Sequence, residues 1–318
     1  MCGQRRSRLP LLFAMLLNAL WGVAQQDSVL LAKADTLLAH GDLKPAAKLY
    51  QRLTERPAVA AEAYRGLSVC AQKRNAPNEE VIDLINRAVA LAPTDHHLLH
   101  CRANVYTSLQ MYDRAYADIE LALRTVPNDS LRAEYMADQG WALINTRRFA
   151  DAHALLLKAY AVDSTSGSVL NNLGLVCEDL GDLEGSIRWM RKFIATDTSS
   201  GIGYGNMGFM LSNHERYAEA LAYFDTAATK GFASDGRFFN NRGYVKMKLG
   251  DTAGALADIQ RSLQLFPGNA YAYRNLGLTY QAMGRHEDAC AAFEQALQLG
   301  YTKRFGDDVR KNYDASCH

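Results

Sequence analysis

The sequence predicts an all-α fold, a solenoid of tandem helical hairpins, on three observations. Similar segments recur at steps of 34 or 35 residues: NNLGLVCEDLGD from Asn171, GNMGFMLSNHER from Gly205, NNRGYVKMKLGD from Asn240 and RNLGLTYQAMGR from Arg274. A period of that size belongs to arrays in which each unit buries its apolar face against the next. Apolar residues fall at helical spacing, in paired segments of about 12 to 14 residues, and few stretches alternate as strands do. Finally, Gly41-Asp42, Gly181-Asp182 and Gly250-Asp251 mark turns inside hairpins, while Pro93, Pro127 and Pro267 fall just after second helices, where proline stops a helix at little cost.

The elements follow in chain order. Arg5, Arg6 and Arg8 precede an apolar run from Leu9 to Trp21, and Gly22-Val23-Ala24 supplies small residues after it. A basic start, a short apolar core and a small-residue exit read as a secretory signal peptide over residues 1–24. The run is short for a membrane span, and no later stretch could form one. The expectation is an exported chain, periplasmic or at the cell surface.

The period back-projects to eight units over residues 27–303, starting near Asp27, Ala61, His96, Ala133, Gly167, Gly201, Gly236 and Ala270. Position 8 of each is small: Ala34, Ser68, Ala103, Gly140, Gly174, Gly208, Gly243 and Gly277. Position 24 is large: Tyr50, Ile85, Ile119, Leu156, Met190, Phe224, Ile259 and Phe293. Two helices approach to about 8–10 Å where one presents a small residue and the other a knob. A glycine within a helix costs ~1 kcal/mol against alanine, so glycine at this register implies that close packing offsets the cost.

With its small residue at position 8, alanines at 20 and 27 and an aromatic at 24, the last unit, AYAYRNLGLTYQAMGRHEDACAAFEQALQLG, resembles the tetratricopeptide repeat. The resemblance covers residues 27–303 and implies a right-handed α-solenoid. It departs from the family pattern in four places: the first unit, an extra residue near Asn75-Ala76-Pro77, Ser130 to Arg132 ahead of the fourth unit, and Phe193 and Ser262 at position 27. Residues 304–318 are polar and read as a capping helix, which a terminal repeat needs over its apolar face. The pattern of Cys290 in the last repeat and Cys317 at the terminus looks like that of many exported bacterial repeat proteins, and that likeness implies a disulfide between them.

Composition narrows function. Lys and Arg outnumber Asp and Glu by 35 − 34 = 1, so charge gives no case for nucleic acid or an anionic membrane surface. Signal removal leaves five cysteines, Cys70, Cys101, Cys177, Cys290 and Cys317, and an odd number means at least one free or intermolecular thiol. No CxxC pair suggests a redox motif or a zinc ribbon.

Three motifs carry a chemical reading. Gly203 to Gly208 matches GxGxxG, but an inter-repeat turn precedes it where a dinucleotide site needs a strand. His96, His97 and His100 beside Cys101 have metal-ligand spacing without a second cluster to complete four ligands. His214-Glu215 lacks the second histidine of a zinc protease. No Ser/His/Asp, Cys/His or paired-carboxylate constellation stands out, so neither catalysis nor a metal or cofactor is expected.

The resemblance implies that first helices line a concave groove through positions 2, 5, 6, 9, 12 and 13. Position 6 is Asn172, Asn206, Asn241 and Asn275, preceded by Cys101 and Asp138; position 9 is Trp141, Leu175, Phe209, Tyr244 and Leu278. Amides there suit a ligand backbone, and Trp141, Phe209 and Tyr244 suit apolar side chains. The expected function is a non-catalytic scaffold that binds an extended peptide or disordered segment of a protein partner. The alternative is a structural subunit of a cell-envelope assembly that docks folded partners through its convex face or ends.

Overall fold

The computed structural model describes residues 25–232, 236–302 and 306–317; the expected signal peptide lies outside them. The described residues are helical throughout their regular structure, with no strand. They form hairpin after hairpin: α1 (25–39) with α2 (Leu43–Leu53), α3 (Ala60–Lys73) with α4 (Asn78–Leu91), α5 (His96–Ser108) with α6 (Tyr112–Ala122) and α7 (Asp129–Asn145) with α8 (Phe149–Val162). The series continues with α9 (Gly167–Asp179) and α10 (Leu183–Thr196), α11 (Ile202–Asn213) and α12 (Tyr217–Thr229), α13 (Gly236–Lys248) and α14 (Thr252–Leu265), and α15 (Ala270–Ala282) and α16 (His286–Gln298). A last helix, α17 (Asp308–Ser316), follows. The chain divides into two compact units after residue 172, within α9.

The register of small residues and knobs is realised atom for atom. A Cβ added to Gly140 would lie 2.7 Å from Leu156, one on Gly174 2.6 Å from Met190, and one on Gly277 2.4 Å from Phe293. At Gly208 and Gly243 the nearest atoms belong to Phe224 and Ile259, at 3.0 and 2.8 Å. Each glycine therefore faces position 24 of its own hairpin, and the knobs Leu156, Met190, Phe224, Ile259 and Phe293 are buried. In the first hairpin Tyr50 takes the knob position and its hydroxyl donates to Asp35 at 2.6 Å.

Hairpin turns share a second device, only half of which the sequence displays. One residue in each turn adopts positive φ: Gly41, Gly181, Gly250 and Gly284, but also Asn75, Gln110, Arg147 and Glu215. All eight close the first helix in the same way. The residue after the turn donates back to a carbonyl five positions earlier, as Asp42 does to Leu37 at 2.9 Å and Met111 to Tyr106 at 2.8 Å. This is the left-handed helix stop that satisfies the last carbonyls.

The departures from the repeat pattern have local causes. Asn75 occupies the turn and Pro77 caps α4, which absorbs the extra residue of the second unit. Ser130 to Arg132 add a turn to α7, which starts at Asp129 rather than Ala133, with the Asn128 side chain accepting from the Leu131 amide. Phe193 fits at position 27 because Gly203 opposes it, where a Cβ would meet Ile194 at 2.9 Å and Phe193 at 3.3 Å. Gly205 similarly makes room for Phe232, 2.4 Å from an added Cβ. The GxGxxG string is thus three packing glycines in one helix.

At the end of the chain, Val309 of α17 is buried with Phe293, Ala296 and Tyr301 in one apolar cluster. Arg274 of α15 donates to Asp308 at 2.9 Å. Cys290 and Cys317 are disulfide-bonded with Cα atoms 5.7 Å apart. The helix covers the face that a following hairpin would otherwise occupy.

Two outcomes are expected. Positive φ costs a non-glycine residue about 1–2 kcal/mol locally, so Gln110→Gly and Glu215→Gly should each raise the urea midpoint, by ~0.5–1 kcal/mol in stability. A drop in midpoint for both variants would contradict the role given to these turns. Cys317→Ser should destabilise the last hairpin by ~3.5 kcal/mol, the chain-entropy value for a loop of this length. Hydrogen exchange should then quicken in α16 and α17 while α3 to α6 keep their protection; unchanged exchange in α16 would refute the capping role.

Candidate functional site

Position-6 residues lie on first helices, where the structure divides the four asparagines. Asn172 is only 7% exposed, and its amide donates to the Ala137 carbonyl of the preceding first helix at 3.0 Å. Asn275 is 1% exposed and donates to Asn240 Oδ1 at 2.9 Å, while its own oxygen accepts from Arg274 at 2.9 Å. Asn240 in turn donates to Asn241 at 3.3 Å. Two of the four amides therefore tie adjacent repeats together, because a buried amide must find partners. Asn206 and Asn241 remain half-buried.

Position 9 divides as well. Trp141 and Phe209 are 36% and 44% exposed, whereas Leu175 is half-buried against the apolar cluster of its own unit. Tyr244 and Leu278 line a cavity of about 400 Å³ with Met247, Lys248, Arg274, Gln281 and Ala282. These seven residues come from α13 and α15 alone, at positions 9, 12 and 13 of one repeat and 5, 9, 12 and 13 of the next.

The cavity carries more charge than the sequence reading assigned to this face. The Arg274 guanidinium lies 5.6 Å from the Tyr244 ring centre, and the Lys248 ammonium lies 5.8 Å from it. Arg274 is held by Asp308 and Asn275, so its orientation is fixed before any ligand arrives. Tyr217 meets Tyr244 edge-on at 6.3 Å. Burial, and then the hydrogen bond with Tyr244, pushes the Tyr217 hydroxyl up to about 12. The result is an aromatic floor with two cations at its rim, a surface for an apolar group joined to a carboxylate.

The histidine run does not converge. His96 pairs with the Tyr135 hydroxyl at 3.0 Å, and His100 with Asp138 at 2.7 Å while stacking on Tyr135. His97 turns the other way, to Glu62 at 3.5 Å and the Cys101 sulfur at 3.7 Å. Among the described residues no group of His, Cys, Asp and Glu is arranged to hold a metal ion. His214 lies 3.6 Å from Glu178, which also accepts from Asn213.

Two ion pairs escaped the sequence reading. Arg102 pairs with buried Asp118 through two bonds of 2.7 Å, and Arg242 with buried Asp258 through two of 2.8 Å. Both join positions 7 and 23 of one hairpin. An arginine followed sixteen residues later by aspartate, in two repeats at the same register, was the available signal.

Stacked hairpins with small-residue contacts, a left-handed turn in each and side chains shared between successive first helices define an α-helical repeat protein. Tetratricopeptide-repeat family models match residues 31–96, 137–200 and 236–301, so the chain belongs to the tetratricopeptide-repeat family. Members of that family are in general scaffolds for protein–protein interaction. A TPR repeat-containing protein of Methanocaldococcus jannaschii is 28% identical over 140 residues, 44% of this chain and 24% of its own. Human tetratricopeptide repeat protein 36 is 31% identical over 31% of this chain and 51% of its own. The chain thus spans about half or less of the length of these relatives. Among solved structures, a tetratricopeptide repeat protein from Parabacteroides merdae aligns at TM-score 0.53 and 18% identity, over 92% of this chain and all of that one. That likeness shows the fold. No helix among the described residues is long and apolar enough to cross a membrane.

Proposed function

We propose that this protein is a non-catalytic scaffold that binds an extended segment of a partner protein along its first-helix face. The observation that carries this reading is the cavity between α13 and α15, where Tyr244, Lys248 and Arg274 meet. An acidic side chain of the bound segment would sit between the two cations, and a neighbouring apolar side chain on the Tyr244 ring. Asn241, half-buried on the same helix, would pair with a peptide unit of the ligand. Such a site favours one short chemical pattern and tolerates variety elsewhere, because amide pairing is indifferent to side chains. The basic and apolar start of the chain, together with the Cys290–Cys317 bond, supports action outside the cytoplasm, since disulfides persist in oxidising compartments.

Selection from a phage-displayed library of random peptides tests this reading. Enriched sequences should carry Asp or Glu beside an aromatic or aliphatic residue. Lys248→Ala and Tyr244→Ala should each weaken a selected peptide by about ten-fold, as truncation of an interface anchor does, while helical content stays unchanged. Selected peptides that bind both variants as tightly as the parent would move the site elsewhere.

A further inference from the structure

The third repeat holds a chemical group that peptide binding does not use. Cys101 lies on α5 at position 6, the register that carries Asp138 and Asn172 in the next two repeats. Its thiol is unpaired and half-exposed. The other two unpaired thiols among the described residues, Cys70 and Cys177, are buried, and burial pushes both of them up from the ordinary thiol value. One turn before Cys101 on the same helix, His97 places Nε2 3.7 Å from the Cys101 sulfur. On the other side of the ring, Nδ1 lies 3.5 Å from Glu62 Oε1 of α3. Glu62 is itself hydrogen-bonded by Arg65.

The order of these groups matters. A carboxylate facing Nδ1 holds a proton on that nitrogen and supports positive charge on the ring, so Nε2 shares the second ring proton with the Cys101 sulfur. Thiol, imidazole and carboxylate in that sequence form an activated nucleophile, with the base beside the sulfur and a third group orienting the base. We propose that Cys101 is a thiol–disulfide exchange site, activated by His97 and Glu62, that accepts disulfides presented to the first-helix face of the third repeat.

The exchange balances without further reagents. With the shared proton on His97 Nε2, Cys101 is a thiolate, and its electron pair attacks one sulfur of the incoming disulfide. A new S–S bond forms to Cys101 as the old one breaks. The departing sulfur leaves as a thiolate carrying the electron pair, and takes up the proton from the imidazolium. Cys101 rises to the disulfide level as the departing sulfur falls to the thiol level, and the number of disulfide bonds is unchanged.

The electrostatics agree with that assignment. The hydrogen bond to the Cys101 sulfur first, and that to Glu62 second, hold His97 up to about 10, so the imidazolium is a stable proton store. Hydrogen bonding from His97, more than from Arg65, holds Glu62 down at about 2. Burial lowers the Arg65 guanidinium, but its hydrogen bond to Glu62 and the neighbouring Glu62 and Cys101 charges outweigh this and raise it above its ordinary value. A positive group thus stands ready beside any thiolate formed at Cys101.

Full-length protein treated with excess oxidised glutathione, quenched over time and mapped by mass spectrometry, tests the proposal. Cys101 should acquire glutathione first, with Cys70 and Cys177 unmodified on the same time scale. His97→Gln and Glu62→Gln should slow the adduct by about ten-fold or more, the usual effect of removing a thiol's activating partner. The unaltered protein dissolved in urea should lose the same advantage, which keeps the comparison valid if a variant fails to fold. A covalent dimer through Cys101 would report the same exchange with a second copy of the chain. Modification that begins at Cys70 or Cys177, or a rate at Cys101 indifferent both to His97→Gln and to urea, would overturn the assignment.

Discussion

Each hairpin depends on one contact, a residue with little or no side chain on the first helix meeting a large one on the second. Helices approach this closely only if backbone atoms of one can accept the knob of the other. Where glycine stands at position 8, an added methyl group would press on Leu156, Met190, Phe224, Ile259 or Phe293. Glycine weakens a helix by ~1 kcal/mol, and five of eight repeats accept that weakness. The contact fixes the angle and spacing of each pair, and so which side chains of successive first helices stand next to one another. The amide chain from Asn275 through Asn240 to Asn241 and the cavity between α13 and α15 both follow from that spacing.

Polar groups divide between holding the stack together and facing outward. Asn172 and Asn275 occupy the same register as Asn206 and Asn241, yet only the latter pair is half-buried. Once buried, an amide left without a partner would cost about 1–3 kcal/mol, so its use in bridging repeats is the stable choice. The paired Arg102–Asp118 and Arg242–Asp258 contacts have the same logic. They contribute little net stability, but removing Arg102 would strand the buried Asp118 charge, whereas Asp258 would keep Lys246 at 2.8 Å. Arg274 stands between the two roles, anchored by Asp308 of the last helix while its guanidinium borders the cavity.

Fold was legible in the sequence because it rests on periodic, short-range patterns. Position 8 and position 24 could be read as a column, and the structure places every glycine of the first against the knob of the second. Gly41, Gly181 and Gly250 marked their turns, whereas Gln110, Arg147 and Glu215 adopt the same backbone without a residue that advertises it. The site was less legible because exposure depends on contacts about 35 residues apart. The asparagine register alone does not separate Asn275, whose amide bonds to Asn240 35 residues earlier, from Asn206. The second cation at Tyr244 comes from the next repeat, and the Glu62 that orients His97 comes from the preceding one. Ten residues around Cys101 contain no carboxylate that would announce the arrangement except Asp95, which is occupied in capping α5.

The measurement that tests the central contact most directly is a double-mutant cycle between Gly277 and Phe293, followed by urea unfolding. Helix propensity alone predicts that Gly277→Ala stabilises the protein by ~1 kcal/mol. The packing account predicts the opposite sign, a loss of ~1–3 kcal/mol from overpacking against the Phe293 ring. In a Phe293→Leu background the same alanine should cost at least ~1 kcal/mol less, the scale expected of residues in contact. Stabilisation by Gly277→Ala in the unaltered background, with no coupling to Phe293, would contradict the account.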